Sequence, residues 1–286
     1  MLPWNRKLDG FFLGATLIVI IGVLDDILEI DAKTKLCGQI IAGLVAIFCG
    51  IQIHYVTNIL ESSGVTSLGF LSIPLTLFWI VGLTNTMNII DGLDGLCAGI
   101  AFIAAITLAA VQIIQNNFSL TSAIIPSVYI LFILAGACLG FLFFNFYPAS
   151  VFMGDSGSLL LGYCLSILSI MGALKGATLV TLVIPILTLG FPVFDTLFAI
   201  LRRRWMGKPI FKADREHIHH QLINAGFSHK KVVILLYFVS GFFGLTAILV
   251  SNLDARYALG ILFILSFTLF LLLMFLRKWY KKYDAK

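Results

Sequence analysis

Phe11-Phe12-Leu13-Gly14-Ala15-Thr16-Leu17-Ile18-Val19-Ile20-Ile21-Gly22-Val23-Leu24-Asp25-Asp26 is the stretch that decides the fold. Uncharged, mostly apolar residues run without a break into two adjacent acids. A helix needs roughly 20 apolar residues to cross ~30 Å of hydrocarbon, and this stretch sits in such a run, Leu8–Leu24. Eight more follow: Leu36–Ile53, Leu71–Ile90, Leu96–Ile114, Ala123–Phe144, Leu159–Ala173, Leu179–Leu201, Val232–Val250 and Ala258–Leu276. Leu159–Ala173 is the short one, to be tilted or shielded by neighbours. Of 286 residues, 60% are hydrophobic and 12% charged, with mean hydropathy +1.04. A soluble domain is about half apolar and about a quarter charged. Residue-by-residue alternation, the mark of a membrane β-barrel, is absent. Helices, which satisfy their backbone internally, are what remains in lipid. The chain is predicted to be all-α: a polytopic transmembrane helical bundle of about nine helices, forming one domain over 1–286.

Fifteen of the nineteen Lys and Arg residues fall on the side where the odd-numbered helices end. Basic loops stay inside, so that face is predicted to be cytoplasmic, with the C-terminus inside and the protein in the cell membrane. The net charge of +5 requires no nucleic acid, because its excess lies where anionic headgroups and phosphorylated substrates would be. The five cysteines sit in apolar runs without a CxxC pair and read as small buried hydrophobes. The first run lacks a small-residue cleavage site and ends in acids, which argues against a cleaved signal peptide. The outer loop Tyr55–Gly69 reads as a plain connector.

Asp25, Asp26, Asp91, Asp94 and Asp155 each stand where an apolar helix meets the cytoplasm. Carboxylates are costly at membrane depth and mark function there. Asp25 and Asp26, followed by Lys33 and Lys35, suit metal binding or proton removal from a phosphate; a solvated helix end beside partner lysines is the plainer alternative. In Asn85-Thr86-Met87-Asn88-Ile89-Ile90-Asp91-Gly92-Leu93-Asp94-Gly95, Asn85, Asn88 and Asp91 recur every three residues on one helix face. Such oxygen ligands suit a hard cation or a nucleotide. A simple helix stop explains them poorly, since acids at a C-terminus oppose the helix dipole. Asn145-Phe146-Tyr147-Pro148 leads to Gly154-Asp155-Ser156-Gly157 ahead of a helix. Ser156 is the better candidate to cap that helix, and Asp155 the better candidate for a phosphate-bound metal. The basic loop 202–231 carries His217-Ile218-His219-His220. Without a cysteine or an HExxH spacing, zinc is a weak reading. Imidazoles beside Arg and Lys more naturally grip phosphate or sugar oxygens.

With these motifs in this order on one face, the chain resembles the MraY/WecA-type polyprenyl-phosphate N-acetylhexosamine-1-phosphate transferases over nearly its whole length. In that family undecaprenyl phosphate attacks the sugar-linked phosphorus of a UDP-sugar and UMP leaves. The resemblance implies that Asp25 and Asp26 are the catalytic pair, and that Asp155 binds Mg²⁺ (or Mn²⁺) with Asn88 beside it. It places Asn85, Asp91 and Asp94 along the nucleotide pocket, and His217, His219 and His220 in a diphosphate and sugar clamp of the WecA-like type. Lys33, Lys35 and Asn145 complete the substrate-binding candidates. The implied partners are undecaprenyl phosphate, a UDP-N-acetylhexosamine (UDP-GlcNAc first) and membrane lipid, with a homodimer as a possible assembly. The family has two more helices before the first one here. The chain is expected to lack them, as a short member, a misassigned start or a fragment, which accounts for an outward N-terminus bearing Arg6 and Lys7.

Three rival readings remain: transfer of phospho-MurNAc-pentapeptide, which the HxHH pattern disfavours; an inactive truncated paralogue; and a transporter. Transporter sites lie near the midplane in interrupted helices, whereas these acids gather at one face.

Overall fold

The computed structural model describes residues 5–57, 65–116, 125–172 and 226–251, with isolated further positions between 186 and 268. Among the described residues there are seven long helices: α1 (Arg6–Leu28), α2 (Ala32–Phe48), α3 (Ser72–Ile90), α4 (Leu96–Gln115), α5 (Ile125–Asn145), α6 (Gly154–Met171) and α7 (His229–Val250). Among the described residues, six helical segments are long and apolar enough to cross a membrane, and α2 adds a seventh apolar helix of 17 residues. The chain is thus a multi-pass, all-α membrane bundle. The predicted runs Leu179–Leu201 and Ala258–Leu276 lie outside the described residues apart from isolated positions.

Helices α4 and α6 form the centre. Helix α6 packs on α1 and α3, α4 packs on α5 and α7, and α2 bridges α1 and α3. Large apolar side chains point outward, with Phe78 74%, Phe143 83%, Phe238 74% and Leu249 76% exposed. In water such a surface would aggregate; in lipid it is the solvent-facing surface. Without a hydrophobic force between helices, close contact and polar pairs hold a bundle together. Both occur here. A Cβ at Gly162 would stand 2.6 Å from the Thr84 Cα, so α6 lies directly against the α3 backbone. Buried Gln112 donates to the Leu168 carbonyl at 3.0 Å and accepts from the Ser127 hydroxyl at 2.7 Å, tying α4 to α6 and α5.

Two details differ from the sequence reading. The outer loop is not a plain connector: β1 (Tyr55–Thr57) and β2 (Val65–Ser67) pair antiparallel, with Val56 opposite Thr66. Valine and threonine suit a short ladder because their branched side chains pack well on a pleated surface. Helix α6, predicted from Leu159, begins at Gly154, a full turn earlier. That turn is stabilised from outside its own sequence.

Candidate active site

The C-terminal ends of α1, α3 and α5 and the N-terminal ends of α2, α4 and α6 meet at one end of the bundle. Asp25 and Asp26 close α1, Asp31 caps α2, Asp91 caps α3, and Asp155 opens α6. Asp31 accepts from the Lys33 and Thr34 backbone N–H groups at 3.1 and 3.4 Å. The Thr34 hydroxyl also donates to it. These bonds to Asp31, the Thr34 hydroxyl foremost, hold its carboxyl below the usual carboxylate range. This cap starts α2 so that Lys35 faces inward.

The Lys35 ammonium lies 2.5 Å from an Asp25 oxygen and also donates to Asp155. The Asp25 and Asp155 carboxyls lie against each other as well. Asn88, two residues before the end of α3, donates to the Ser158 hydroxyl at 3.0 Å and reaches Asp155 too. Asp25, Lys35, Asn88 and Asp155 therefore form one cluster from four helices.

Asp26 does something else. Its two oxygens accept from the backbone N–H groups of Asp155 at 2.7 Å and Ser156 at 3.1 Å. The first N–H groups of a helix lack internal partners, and here a carboxylate from another helix satisfies two of them. The expectation that Ser156 caps α6 is overturned: the N-cap position is Met153, with no side-chain cap. The close approach requires two glycines. A Cβ at Gly22 would stand 2.3 Å from the Ser156 Cα. Gly154 has φ +66, a conformation that favours glycine, and a Cβ there would meet the Asp26 carboxylate at 2.8 to 3.1 Å.

Asp91 faces the same space. Burial, and then the negative charges of Asp155, Asp26 and Asp94, push its pKa up to about 7. Asp94 accepts from the Ala149 N–H at 3.1 Å. Asn145, 3% exposed, accepts from the Gly95 N–H and donates to the Val151 carbonyl, both at 2.9 Å. These bonds make Asn145 a brace that joins the Asp91–Gly95 turn to the segment leading into α6. Asn85 lies deeper, paired with buried Gln39 at 2.5 Å and the Val81 carbonyl at 2.9 Å. Lys33 is exposed, and its backbone takes part in the α2 cap. His217, His219 and His220 lie outside the described residues.

Three participants were not singled out in the sequence. Gln39 partners Asn85. On α7, the Tyr237 hydroxyl donates to the Gly95 carbonyl, and the His229 ring stacks on Tyr147 at 4.4 Å. Only the run of polar residues around Asn85 hinted that a buried partner such as Gln39 was needed. Nothing local marks Tyr237 or His229.

Asp25, Asp26, Asp91, Asp94 and Asp155, against the one ammonium of Lys35, make the cluster itself acidic within a face whose loops carry most of the basic residues. Among the described residues, no three His, Cys, Asp or Glu side chains gather as a metal cluster. The donor set is nevertheless one a hard divalent cation takes: carboxylate oxygens of Asp25 and Asp155, with the amide of Asn88 adjacent. The Lys35 ammonium already stands against both carboxylates, which shows that a cation fits between them.

A family model described as glycosyl transferase family 4 matches residues 8–173. A Bacillus subtilis protein described as a probable undecaprenyl-phosphate N-acetylglucosaminyl 1-phosphate transferase is 39% identical over 266 residues, covering 91% of this chain and 71% of its own length. A decaprenyl-phosphate N-acetylglucosaminephosphotransferase of Mycobacterium tuberculosis is 34% identical over 254 residues, 82% of this chain and 61% of its own length. A phospho-N-acetylmuramoyl-pentapeptide-transferase of Heliobacterium modesticaldum is 36% identical over 222 residues, 71% of this chain and 63% of its own length. The chain thus spans about six tenths of the mycobacterial relative and about seven tenths of the Bacillus one.

Proposed function

This chain belongs to glycosyl transferase family 4, and on that premise we propose that it transfers N-acetylglucosamine 1-phosphate from UDP-GlcNAc to undecaprenyl phosphate. An oxygen of the lipid phosphate attacks the sugar-linked phosphorus of the nucleotide. The new P–O bond forms as the bond to UMP breaks, and UMP leaves with the electron pair. The product is a lipid diphosphate sugar, the first membrane-bound step of an envelope glycopolymer. The observation that carries this reading is the convergence of Asp25, Lys35, Asn88 and Asp155 from four helices at one end of the bundle.

Phosphoryl transfer needs alignment and charge neutralisation more than covalent help. Both substrates are anionic and the site is already acidic, so cationic groups have to hold them together. Asp155, Asp25 and Asn88 are the residues to hold Mg²⁺, which when bound neutralises diphosphate charge. Lys35 is placed to meet a phosphate oxygen. Of the acidic pair, Asp25 is the one to take or orient the proton of the lipid phosphate, because Asp26 has both oxygens engaged with the α6 backbone. Asp91 and Asp94, beside the glycine turn, line the nucleotide side. His217, His219 and His220 supply imidazoles to grip diphosphate and sugar oxygens.

The excess of basic residues on this face supports a cytoplasmic site and a cytoplasmic C-terminus in the cell membrane. The N-acetylglucosamine reading is favoured over the muramoyl-pentapeptide one by the name of the Bacillus subtilis relative, which is 39% identical over 91% of this chain. The HxHH pattern points the same way. The deciding experiment is a membrane assay with radiolabelled UDP-GlcNAc and undecaprenyl phosphate, with and without Mg²⁺, repeated with UDP-MurNAc-pentapeptide. Asp155→Asn is expected to abolish Mg²⁺-dependent product while the protein still accumulates in the membrane. Near-normal turnover in that variant removes the metal assignment.

A further inference from the structure

Lys35 holds a position that the chemistry of the site would give to a metal. Its ammonium touches an oxygen of Asp25 on α1 and an oxygen of Asp155 on α6. The same two carboxyl groups lie within hydrogen-bond reach of each other, and like charges that close repel unless a shared proton or a cation stands between them; here the Lys35 ammonium touches both. The lysine is not there by chance of a long, floppy side chain. Its stem is only 20% exposed. The Asp31 cap also fixes its backbone, the Lys35 N–H donating to the Asp31 carbonyl at 3.1 Å. A tethered group is present at high effective concentration at all times. Lysine carries one charge and donates from a single nitrogen, whereas a divalent cation carries two and takes several oxygens. Both cannot occupy the same carboxylate oxygens.

We propose that Lys35 is a built-in competitor of the divalent cation. In the substrate-free protein its ammonium holds Asp25 and Asp155 together and keeps metal affinity low. Metal entry displaces it and frees the amine. This rests on the reading that Asp155 ligates the metal. Because competition is reciprocal, it can be read from either side.

The test uses the full chain in lipid nanodiscs without substrates. Free Mn²⁺ is followed by electron paramagnetic resonance in the wild type, Lys35→Met, Lys35→Arg and Asp155→Asn. Lys35→Met is expected to bind Mn²⁺ roughly tenfold more tightly, since one competing charge beside two carboxylates has gone. Lys35→Arg, which keeps the charge, should stay near the wild type. Equal or weaker binding in Lys35→Met overturns the proposal.

A second measurement needs no variant. In the wild type, Mg²⁺ should raise the labelling of Lys35 by an amine-acylating reagent, read by peptide mass spectrometry against Lys33 as internal reference. Unchanged or lower labelling of Lys35 also overturns it. If Asp155→Asn binds Mn²⁺ as well as the wild type, the metal assignment beneath it falls too. If only the Lys35 results fail while turnover remains Mg²⁺-dependent, the transferase reading stands without this competition.

Discussion

Gly22→Ala places one methyl group where α1 and α6 touch, and two physical effects predict opposite signs for it. Alanine is the better helix former by about 1 kcal/mol, so at an open position in the middle of α1 the change would stabilise. At Gly22 the new Cβ would stand 2.3 Å from the Ser156 Cα, 2.7 Å from its nitrogen and 3.1 Å from the Asp155 carbonyl carbon. All three are backbone atoms and none can rotate away. Relaxed carbon contacts begin near ~3.5 Å, so the helices have to part by about 1 Å. Overpacking of this kind costs about 1–3 kcal/mol, which exceeds the propensity gain. The parting is also aimed at the site, because the same contact carries the bonds from the Asp155 and Ser156 N–H groups to Asp26. A misplacement of ~1 Å can cost about 100-fold in rate. The assay is the initial rate of lipid-linked product per folded protein, with thermal unfolding in detergent alongside. Gly136→Ala on α5 is the control, since a Cβ there meets nothing within 4 Å. Gly22→Ala should lose both rate and melting temperature while Gly136→Ala keeps both. A Gly22→Ala protein with wild-type rate and unchanged or higher melting temperature would refute the idea that this crossing positions Asp155.

Asp91 has a pKa raised to about 7, first by burial and then by three neighbouring carboxylates. Its protonation therefore contributes stability that is complete below the ordinary carboxylate pKa and is lost as pH rises through about 7. Asp91→Asn should raise the melting temperature at pH 8 more than at pH 5. An equal change at both values would contradict the assignment. Asn145→Ala leaves the buried Gly95 N–H without its partner and removes the donor to the carbonyl of exposed Val151. A buried group left unpaired costs about 1–3 kcal/mol, so a clear fall in melting temperature is expected, and a drop of less than a degree would argue against the brace.

Much of the fold was legible along the chain because its signals are local. Uninterrupted apolar length specifies a spanning helix, and the basic residues of the loops specify the face. Asp25, Asp91 and Asp155 could be placed at one end of the bundle from these signals alone.

What only the tertiary structure decided is which partner each polar group meets. Asp25 and Asp26 are adjacent in sequence, but neighbours on a helix point roughly 100° apart. One faces Lys35 and Asp155, and the other faces the bare N–H groups at the start of α6. Asn145, a substrate-binding candidate from the sequence, also braces the Gly95 turn; Tyr237 carried no signal and holds Gly95. Those pairings depend on how each helix is rotated about its axis and how closely it approaches the next. Side chains from both helices set that approach, as Gly22 against Ser156 and Gly162 against Thr84 do here. No single stretch of sequence contains both halves of such a contact.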